Sequence, residues 1–279
     1  MMQLTHRLGD EFALTELDYR VWRAHVDDSW RGWTGPHGGV IAGLLIEVAR
    51  RAAAGDLPVR VVDLRFLGRP TEGDFTFRAT EHPVGRSTTI VDVVADQEGV
   101  LVASAAVTFG RTTPTKLPER SATHAPQVPP PHDCQIFHLP PEIVPVGAHF
   151  EIRPAAGPLP LSGSDEAWMC AWISLIPGMP TDAAVLAVLA DALPPGLFPT
   201  LTTPVAVPTV AFSMHLHTAG DCLQVAGNGT DRARPVSQEV LVRAKNVSTG
   251  GGWSVDDVEI WDRGGPLLAT ARQTRRVLG

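Results

Sequence analysis

The segment from Asp182 to Leu193 constrains the fold of this chain most, because nearly all of its side chains are apolar. Val185, Val188 and Leu189 recur at the spacing of one helix face, and two prolines follow the segment. A helix that is hydrophobic on all sides must also be buried on all sides. We therefore expect a central helix that is wrapped by a sheet.

A second helix is predicted from Gly38 to Arg51, where apolar residues recur at i, i+3, i+4 and i+7. Each helix is followed by segments rich in β-branched residues with alternating polarity, which predict strands. In the first half these strands are expected at residues 59–67, 74–81, 87–96 and 100–109. In the second half they are expected at residues 209–217, 221–226, 237–246, 254–262 and 267–277.

A first strand is predicted ahead of each helix, at residues 12–22 and at residues 150–153, the latter running on towards 165–175. The order of strand, helix and antiparallel meander therefore occurs twice, so the halves are predicted to be duplicates. One extra hairpin is expected in the second copy. The fold class that follows is α+β, with two tandem units that each wrap an antiparallel sheet around a central helix.

Prolines are dense between Thr112 and Pro145, where they fix φ and remove amide donors. This composition predicts an extended linker at residues 112–145, between one domain at 1–111 and another at 146–279. The length of 279 residues fits two compact units.

Composition excludes several classes of function. The formal net charge of −7, without any cluster of Lys and Arg, is not typical of a nucleic-acid binder. No apolar run approaches the roughly 20 residues of a membrane span, so no membrane association is expected. The three cysteines are widely separated and predict neither a disulfide framework nor a zinc site. We expect a cytoplasmic protein without a metal or cofactor.

The apolar helix that follows His37-Gly38-Gly39, the meander after it and the doubling of this unit resemble the hotdog superfamily, and specifically the double-hotdog acyl-CoA thioesterase II family. The resemblance covers nearly the whole chain. Its most telling stretch is Thr209 to His217, which is similar to the strand that carries this family's catalytic threonine. The sequence departs at Ala211, where the family often has an Asp, and the first half is more diverged.

The resemblance implies an enzyme that hydrolyses acyl-CoA with an activated water, with its active site in the C-terminal hotdog. Asp191, Thr209 and Gln273 match the positions of the family's catalytic residues. Asp191 would be the general base or the orienting carboxylate, while Thr209 and Gln273 position the water. Backbone amides near the start of the second helix would stabilise the oxyanion. Self-association is also expected, because exposed strand edges and apolar patches seek partners.

The residues themselves also make Asp191 unusual. A carboxylate near the C-terminus of a helix faces the negative end of the dipole, typically at a cost of about 0.3–1 kcal/mol. No Lys or Arg lies within four residues of Asp191, so a local ion pair does not explain it. Catalysis and a structural role with a tertiary partner are the two remaining explanations.

Three alternatives remain open from the sequence. Glu47 occupies the matching place in the first helix and could be the base, although Arg50 and Arg51 have the spacing of an ordinary surface ion pair. The run His37-Gly38-Gly39 fits either ligand contact at a helix N-terminus or a tight turn. The whole chain could also be a non-catalytic binder of acyl-CoA or lipid.

Strand alternation creates a conflict at Thr209. It places Thr209, Ala211 and Ser213 on the face opposite Phe212 and Met214, and the latter are expected to face the helix. A site at the seam between the two hotdogs, or a bulge near Pro208, would reconcile the two requirements.

Two further patterns favour other chemistries less strongly. Asp133 and His138 have the spacing of a hotdog hydratase dyad, but they lie in the predicted linker. His215, His217 and Asp221 have a spacing that could bind a metal, but an exposed strand face is the favoured explanation.

Overall fold

The computed structural model describes residues 6–118, 120–217 and 238–278. The first half contains helices α1 (Leu8–Glu11) and α2 (Gly38–Ala52) and strands β1 (Thr15–Asp18), β2 (Val21–Val26), β3 (Val59–Phe66), β4 (Gly73–Val84), β5 (Thr88–Gln97) and β6 (Val100–Gly110). The second half contains helix α3 (Ala183–Ala190) and strands β7 (Phe150–Ala156), β8 (Trp168–Leu175), β9 (Thr209–Leu216), β10 (Val240–Gly250), β11 (Trp253–Asp262) and β12 (Leu267–Arg276).

The twelve strands form one antiparallel sheet in the order β1-β2-β4-β5-β6-β3-β9-β12-β11-β10-β8-β7. Read from its outer edge inwards, each half contributes its strands in the same order, so the predicted duplication is confirmed. Strands β3 and β9 pair across the seam, from Val61 opposite His215 to Arg65 opposite Ala211. The predicted strand at 221–226, which would form the extra hairpin, lies outside the described residues.

The two long helices lie in the core, as the sequence predicts. Every residue of α3 is buried, and α2 is buried from Gly39 to Ala49. The helices pack against each other in opposite directions, because Gly39 lies against Val188 whereas Gly43 lies against Ala184. The start of α2 therefore meets the end of α3, and this antiparallel contact positions the candidate site.

The first-strand prediction for residues 12–22 is wrong in detail. The segment holds the end of a buried N-terminal turn and then strands β1 and β2, which pair as a hairpin. Arg20, at the turn of this hairpin, has a positive φ of 59°. A non-glycine residue in that conformation is uncommon, so the reversal has no strong sequence signal.

The Pro-rich segment packs onto the sheet along part of its length. Pro129 O accepts a hydrogen bond of 2.9 Å from Trp172 Nε1, and Phe137 N donates to Ile152 O at the edge of β7. Asp133 and His138 both remain exposed there. Proline-rich chain has many carbonyls without matching amides, so contact with side-chain donors such as Trp172 replaces strand pairing.

Among the described residues, no helix is long and apolar enough to cross a membrane.

Candidate functional site

Asp191 lies where the end of α3 meets the start of α2. Its Oδ2 accepts a hydrogen bond of 3.0 Å from Gly39 N, and its backbone O accepts one of 2.8 Å from His37 Nε2. A Cβ on Gly38 would lie 2.9 Å from Asp191 Oδ2, so the carboxylate also needs this glycine. The predicted catalytic residues all belong to the second half, whereas the observed cluster also contains His37 and Gly39 of the first half.

The expectation that amides at the start of the second helix face the site is wrong. That end of α3 is capped by Asp182, whose Oδ1 accepts hydrogen bonds from Ala184 N and Val185 N at 3.0 and 3.1 Å. The antiparallel packing places the start of α2 beside Asp191 instead. The amides available to the site are therefore those of Gly38 and Gly39.

Thr209 and Gln273 lie in the same cluster, as the resemblance implied. Thr209 Oγ1 is 2.9 Å from Gln273 Oε1, and Gln273 Nε2 is 3.3 Å from Ala190 O at the end of α3. Because a carbonyl can only accept, the Gln273 atom beside Ala190 O must be the amide nitrogen. Gln273 Oε1 therefore accepts the hydroxyl proton of Thr209.

A β-bulge resolves the conflict over the direction of Thr209. Along β9 and β12, Phe212 is opposite Gln273 and Ala211 opposite Thr274, but Thr209 is opposite Arg275. Val210 therefore has no partner on β12, and the extra residue reverses the alternation. Thr209 consequently shares the inward face with Phe212, so the bulge that the sequence allowed near Pro208 is confirmed, one residue beyond Thr209.

Arg275 is the member of this cluster that the sequence analysis missed. It is 7% exposed, and its guanidinium contacts Asp191 Oδ1, Thr209 Oγ1 and Asp256 Oδ2 at 3.1, 2.8 and 3.1 Å. The alternation of β12 was a usable signal, because it places Arg275 on the same face as Gln273. Its partners are distant in sequence, and only the folded sheet brings them together.

The charges around Asp191 act in opposite directions on its carboxyl group. Burial by itself would raise the pKa of Asp191, but His37 and Arg275, with hydrogen bonds from Arg275 and Gln273, lower the pKa below its ordinary value. The side chain is only 12% exposed, so solvent screens these charges weakly. Asp191 is therefore a carboxylate at neutral pH.

Two family profiles match the chain. The acyl-CoA thioesterase N-terminal domain matches residues 26–110, and the acyl-CoA thioesterase C-terminal domain matches residues 118–277. The chain belongs to the acyl-CoA thioesterase family. None of the curated proteins compared with this family member matches it in sequence.

Solved structures agree with the double hotdog architecture of this thioesterase-family protein. A protein of unknown function with a hot dog fold from Alicyclobacillus acidocaldarius is 24% identical, with a TM-score of 0.85 and 99% of each chain covered. The acyl-CoA thioesterase II TesB2 from Mycobacterium marinum is 18% identical, with a TM-score of 0.71 and 98% of each chain covered. A tesB protein from Mycobacterium avium subs paratuberculosis is 17% identical over 98% of this chain and 100% of the other, with a TM-score of 0.73.

Glu47 occupies the matching position in the other helix, α2. The expected ion pair exists, with Arg50 Nη2 2.6 Å from Glu47 Oε2, but the Glu47 side chain is only 1% exposed. The ion pair is therefore not a surface pair as predicted, because Glu47 is buried and only Arg50 is exposed. Helix α1 packs here, because a Cβ on Gly9 would lie 3.3 Å from Glu47 Oε2. The N-terminal turn thus covers the Glu47 carboxylate.

The buried Asp182 carboxyl group, at the start of α3, lies within the electrostatic influence of Glu47. Burial and the negative charge of Glu47 raise the pKa of Asp182 to about 6. The folded state therefore binds this proton more tightly than the unfolded state, in which the pKa is about 3.9. Stability is lost as the pH rises from the unfolded pKa through the folded one.

Asp182→Asn should stabilise the protein at pH 7.5 and have little effect near pH 4. The amide removes the buried charge, while its oxygen can still accept from Ala184 N and Val185 N as a helix cap. The measurement is the melting temperature of both proteins across this pH range. An equal difference between the two proteins at every pH would contradict the assignment.

The described part of the chain contains no group of three or more metal-binding side chains. His217 Nε2 is 3.2 Å from the hydroxyl of Thr270, which gives it a non-metal partner. Asp221, the third member of the possible metal set, lies outside the described residues.

Proposed function

We propose that this protein hydrolyses acyl-CoA to a free acid and CoA by attack of a water that Asp191, Thr209 and Gln273 position. The observation that carries the proposal is the convergence of these three side chains, from α3, β9 and β12, beside the start of α2. Family membership supports the reaction type, and the geometry supports the roles of the residues.

In the proposed reaction, the oxygen of the water forms a bond to the thioester carbon while Asp191 accepts a proton from the water. The carbonyl electrons move to oxygen, and they return when the carbon–sulfur bond breaks. The proton then passes to the departing thiolate. A lowered pKa makes Asp191 a weak base, so its contribution is mainly to orient the water and to stabilise positive charge that develops on it.

The developing oxyanion needs N–H donors, and the start of α2 supplies them in this proposal. Gly39 N already donates to Asp191 Oδ2, whereas Gly38 N makes no hydrogen bond with any residue that the structure describes. Gly38 N is therefore the first candidate donor. The positive end of the α2 dipole favours the same charge.

An apolar crevice provides a place for the acyl chain in this proposal. It is lined only by apolar side chains and cysteine, among them Phe137, Ile152, Met169 and Leu193. Its cavity volume is about 20 Å³, room for about one water molecule, so these side chains must move apart when an acyl chain enters. Leu193 follows Asp191 by two residues, which limits the separation of their Cα atoms to about 7 Å. An alkyl chain bound there would leave water for an apolar surface.

Ala156→Leu should reduce hydrolysis of long acyl-CoAs more than that of acetyl-CoA. Ala156 lines the crevice and is half-buried, so a larger side chain there fills space that the acyl chain would occupy. Ala155 and Ala156 pack against the same buried cluster, so both variants carry a similar cost in stability. We expect kcat/KM for long chains to fall about tenfold, equivalent to about 1.4 kcal/mol. Ala155→Leu is the matched control, because Ala155 does not line the crevice. Equal losses for all chain lengths would contradict the placement.

The test of the proposed function is thiol release from short, medium and long acyl-CoAs by the purified full-length protein. Turnover that is faster than spontaneous hydrolysis supports a thioesterase. Release from none of the substrates, together with saturable binding of a non-hydrolysable thioether analogue, would replace the proposal with a non-catalytic acyl-CoA binder.

A further inference from the structure

Arg275 joins three polar side chains around the candidate site through one buried guanidinium. Each of its three guanidinium nitrogens has its own acceptor: Nη2 contacts Asp191, Nη1 contacts Thr209 and Nε contacts Asp256. Two of these partners are residues of the proposed water site. A surface ion pair would need neither the burial nor the second and third contacts.

We infer that Arg275 is a positioning residue of this site, whose guanidinium holds the Asp191 carboxylate and the Thr209 hydroxyl in one arrangement. The inference rests on the proposed function, because the arrangement matters only if a water reacts there. Arg275 touches neither the water nor the thioester in this scheme.

The first consequence concerns the direction of the hydrogen bonds. Arg275 Nη1 donates to one lone pair of Thr209 Oγ1, because a guanidinium has no acceptor. The Thr209 proton is given to Gln273 Oε1, so Thr209 keeps one free lone pair. A water beside it must then donate to Thr209 and to Asp191. Both hydrogens of that water point at the protein, and its oxygen lone pairs are left for the thioester carbon.

The second consequence concerns charge. The groups that face Asp191 are His37 from the segment before α2, Arg275 and Gln273 from β12, and the amide of Gly39. Of the two basic side chains, Arg275 Nη2 lies 3.1 Å from Asp191 Oδ1, whereas His37 Nε2 lies 3.7 Å from Oδ2 and donates to the backbone O of Asp191. Asp256 Oδ2 accepts a hydrogen bond from Arg275 Nε, and Asp256 Oδ1 accepts one from Asn246 Nδ2. A second carboxylate, itself fixed by Asn246, therefore restrains the guanidinium. Arg275 is therefore the basic side chain in direct contact with the Asp191 carboxylate.

The experiment compares wild type, Arg275→Gln and Arg275→Lys. The profile of kcat/KM against pH is measured with a thiol reagent that works in acid. Without the guanidinium, burial of Asp191 should dominate, and the acid limb of the profile should shift upward by about 1–3 pH units. We also expect kcat to fall about 10–100-fold, with KM changing much less. Arg275→Lys should keep the acid limb near that of wild type, because the positive charge is retained. It should still lose part of kcat, because an ammonium group lacks the planar set of donors that contacts Asp191 and Thr209 together.

Arg276→Gln is the matched control, because Arg276 is exposed and contacts the carbonyl of Gly252, outside the site. A second readout does not need turnover: the titration of the Asp191 carboxyl carbon by NMR, assigned with Asp191→Asn, in wild type and Arg275→Gln. Arg275→Gln should raise the pH at which this carbon titrates. If kcat and melting temperature fall together while the acid limb and the NMR titration stay unchanged, the positioning role is overturned. Absence of turnover in wild type would instead overturn the proposed function and with it the positioning role, and the NMR titration would then report only the effect of Arg275 on the Asp191 carboxyl group.

Discussion

Asp191→Asn should reduce turnover of acyl-CoA by about 10²–10⁴-fold, the range typical of a lost general base or water-orienting carboxylate. The asparagine keeps the shape of the side chain and an oxygen for Gly39 N, and Arg275 retains Asp256 as a partner. The fold should therefore survive. The measurements are kcat and KM by thiol release, with binding of a thioether analogue measured by calorimetry. Binding should be nearly unchanged, since the carboxylate acts on the water.

Glu47→Gln is the control for this experiment. Glu47 holds the matching position in α2, but helix α1 covers it and its carboxylate is paired with Arg50. We expect the variant to lose some stability, because a buried partner of Arg50 is changed, and to retain turnover per folded molecule. If Glu47→Gln abolishes turnover and Asp191→Asn preserves it, the base must be assigned to the first helix instead.

Gly39→Ala should lower the melting temperature by roughly 3–6 °C, the equivalent of about 2–3 kcal/mol for a protein of this size. The added Cβ would lie 2.9 Å from Ala187 O and 2.9 Å from Val188 Cα, which are backbone atoms of α3. Neither atom can rotate away, so the two helices must move apart. The same movement should separate Gly39 N from Asp191 and reduce turnover. Thermal unfolding and thiol release measure the two effects.

Gly250→Ala is the control for the glycine effect. Gly250 ends β10, has no positive φ, and a Cβ there would meet nothing within 4 Å. We therefore expect no measurable change in melting temperature. An equally small effect of Gly39→Ala would mean that the contact between α2 and α3 is looser than described.

The central helices were predictable because their signals are local. The uniformly apolar segment before Pro194 has no solvent-facing side, and the covering of α3 on all sides follows directly. The duplication was also visible, since the order of helix and strands repeats. The hairpin of β1 and β2 was not, because its turn depends on a non-glycine residue at positive φ.

For the candidate site, residue identity and geometry had different sources. The resemblance to the thioesterase family named Asp191, Thr209 and Gln273, and the fold brings them together. Strand alternation by itself predicted the wrong face for Thr209. A single bulge at Val210 exchanges the two faces of the strand, and it has no clear sequence signal.

The sequence by itself determined the repeated order of helix and meander, the two buried helices and the unusual position of a carboxylate at a helix end, because hydrophobic periodicity and helix polarity act over a few neighbouring residues; the resemblance to a family gave this order the name of a double hotdog. Only the tertiary structure decided which helix start faces Asp191 and that Arg275 is its partner. These contacts join residues that are 152 and 84 positions apart. They depend on the antiparallel packing of α2 with α3 and on the register of β12, which no local pattern encodes.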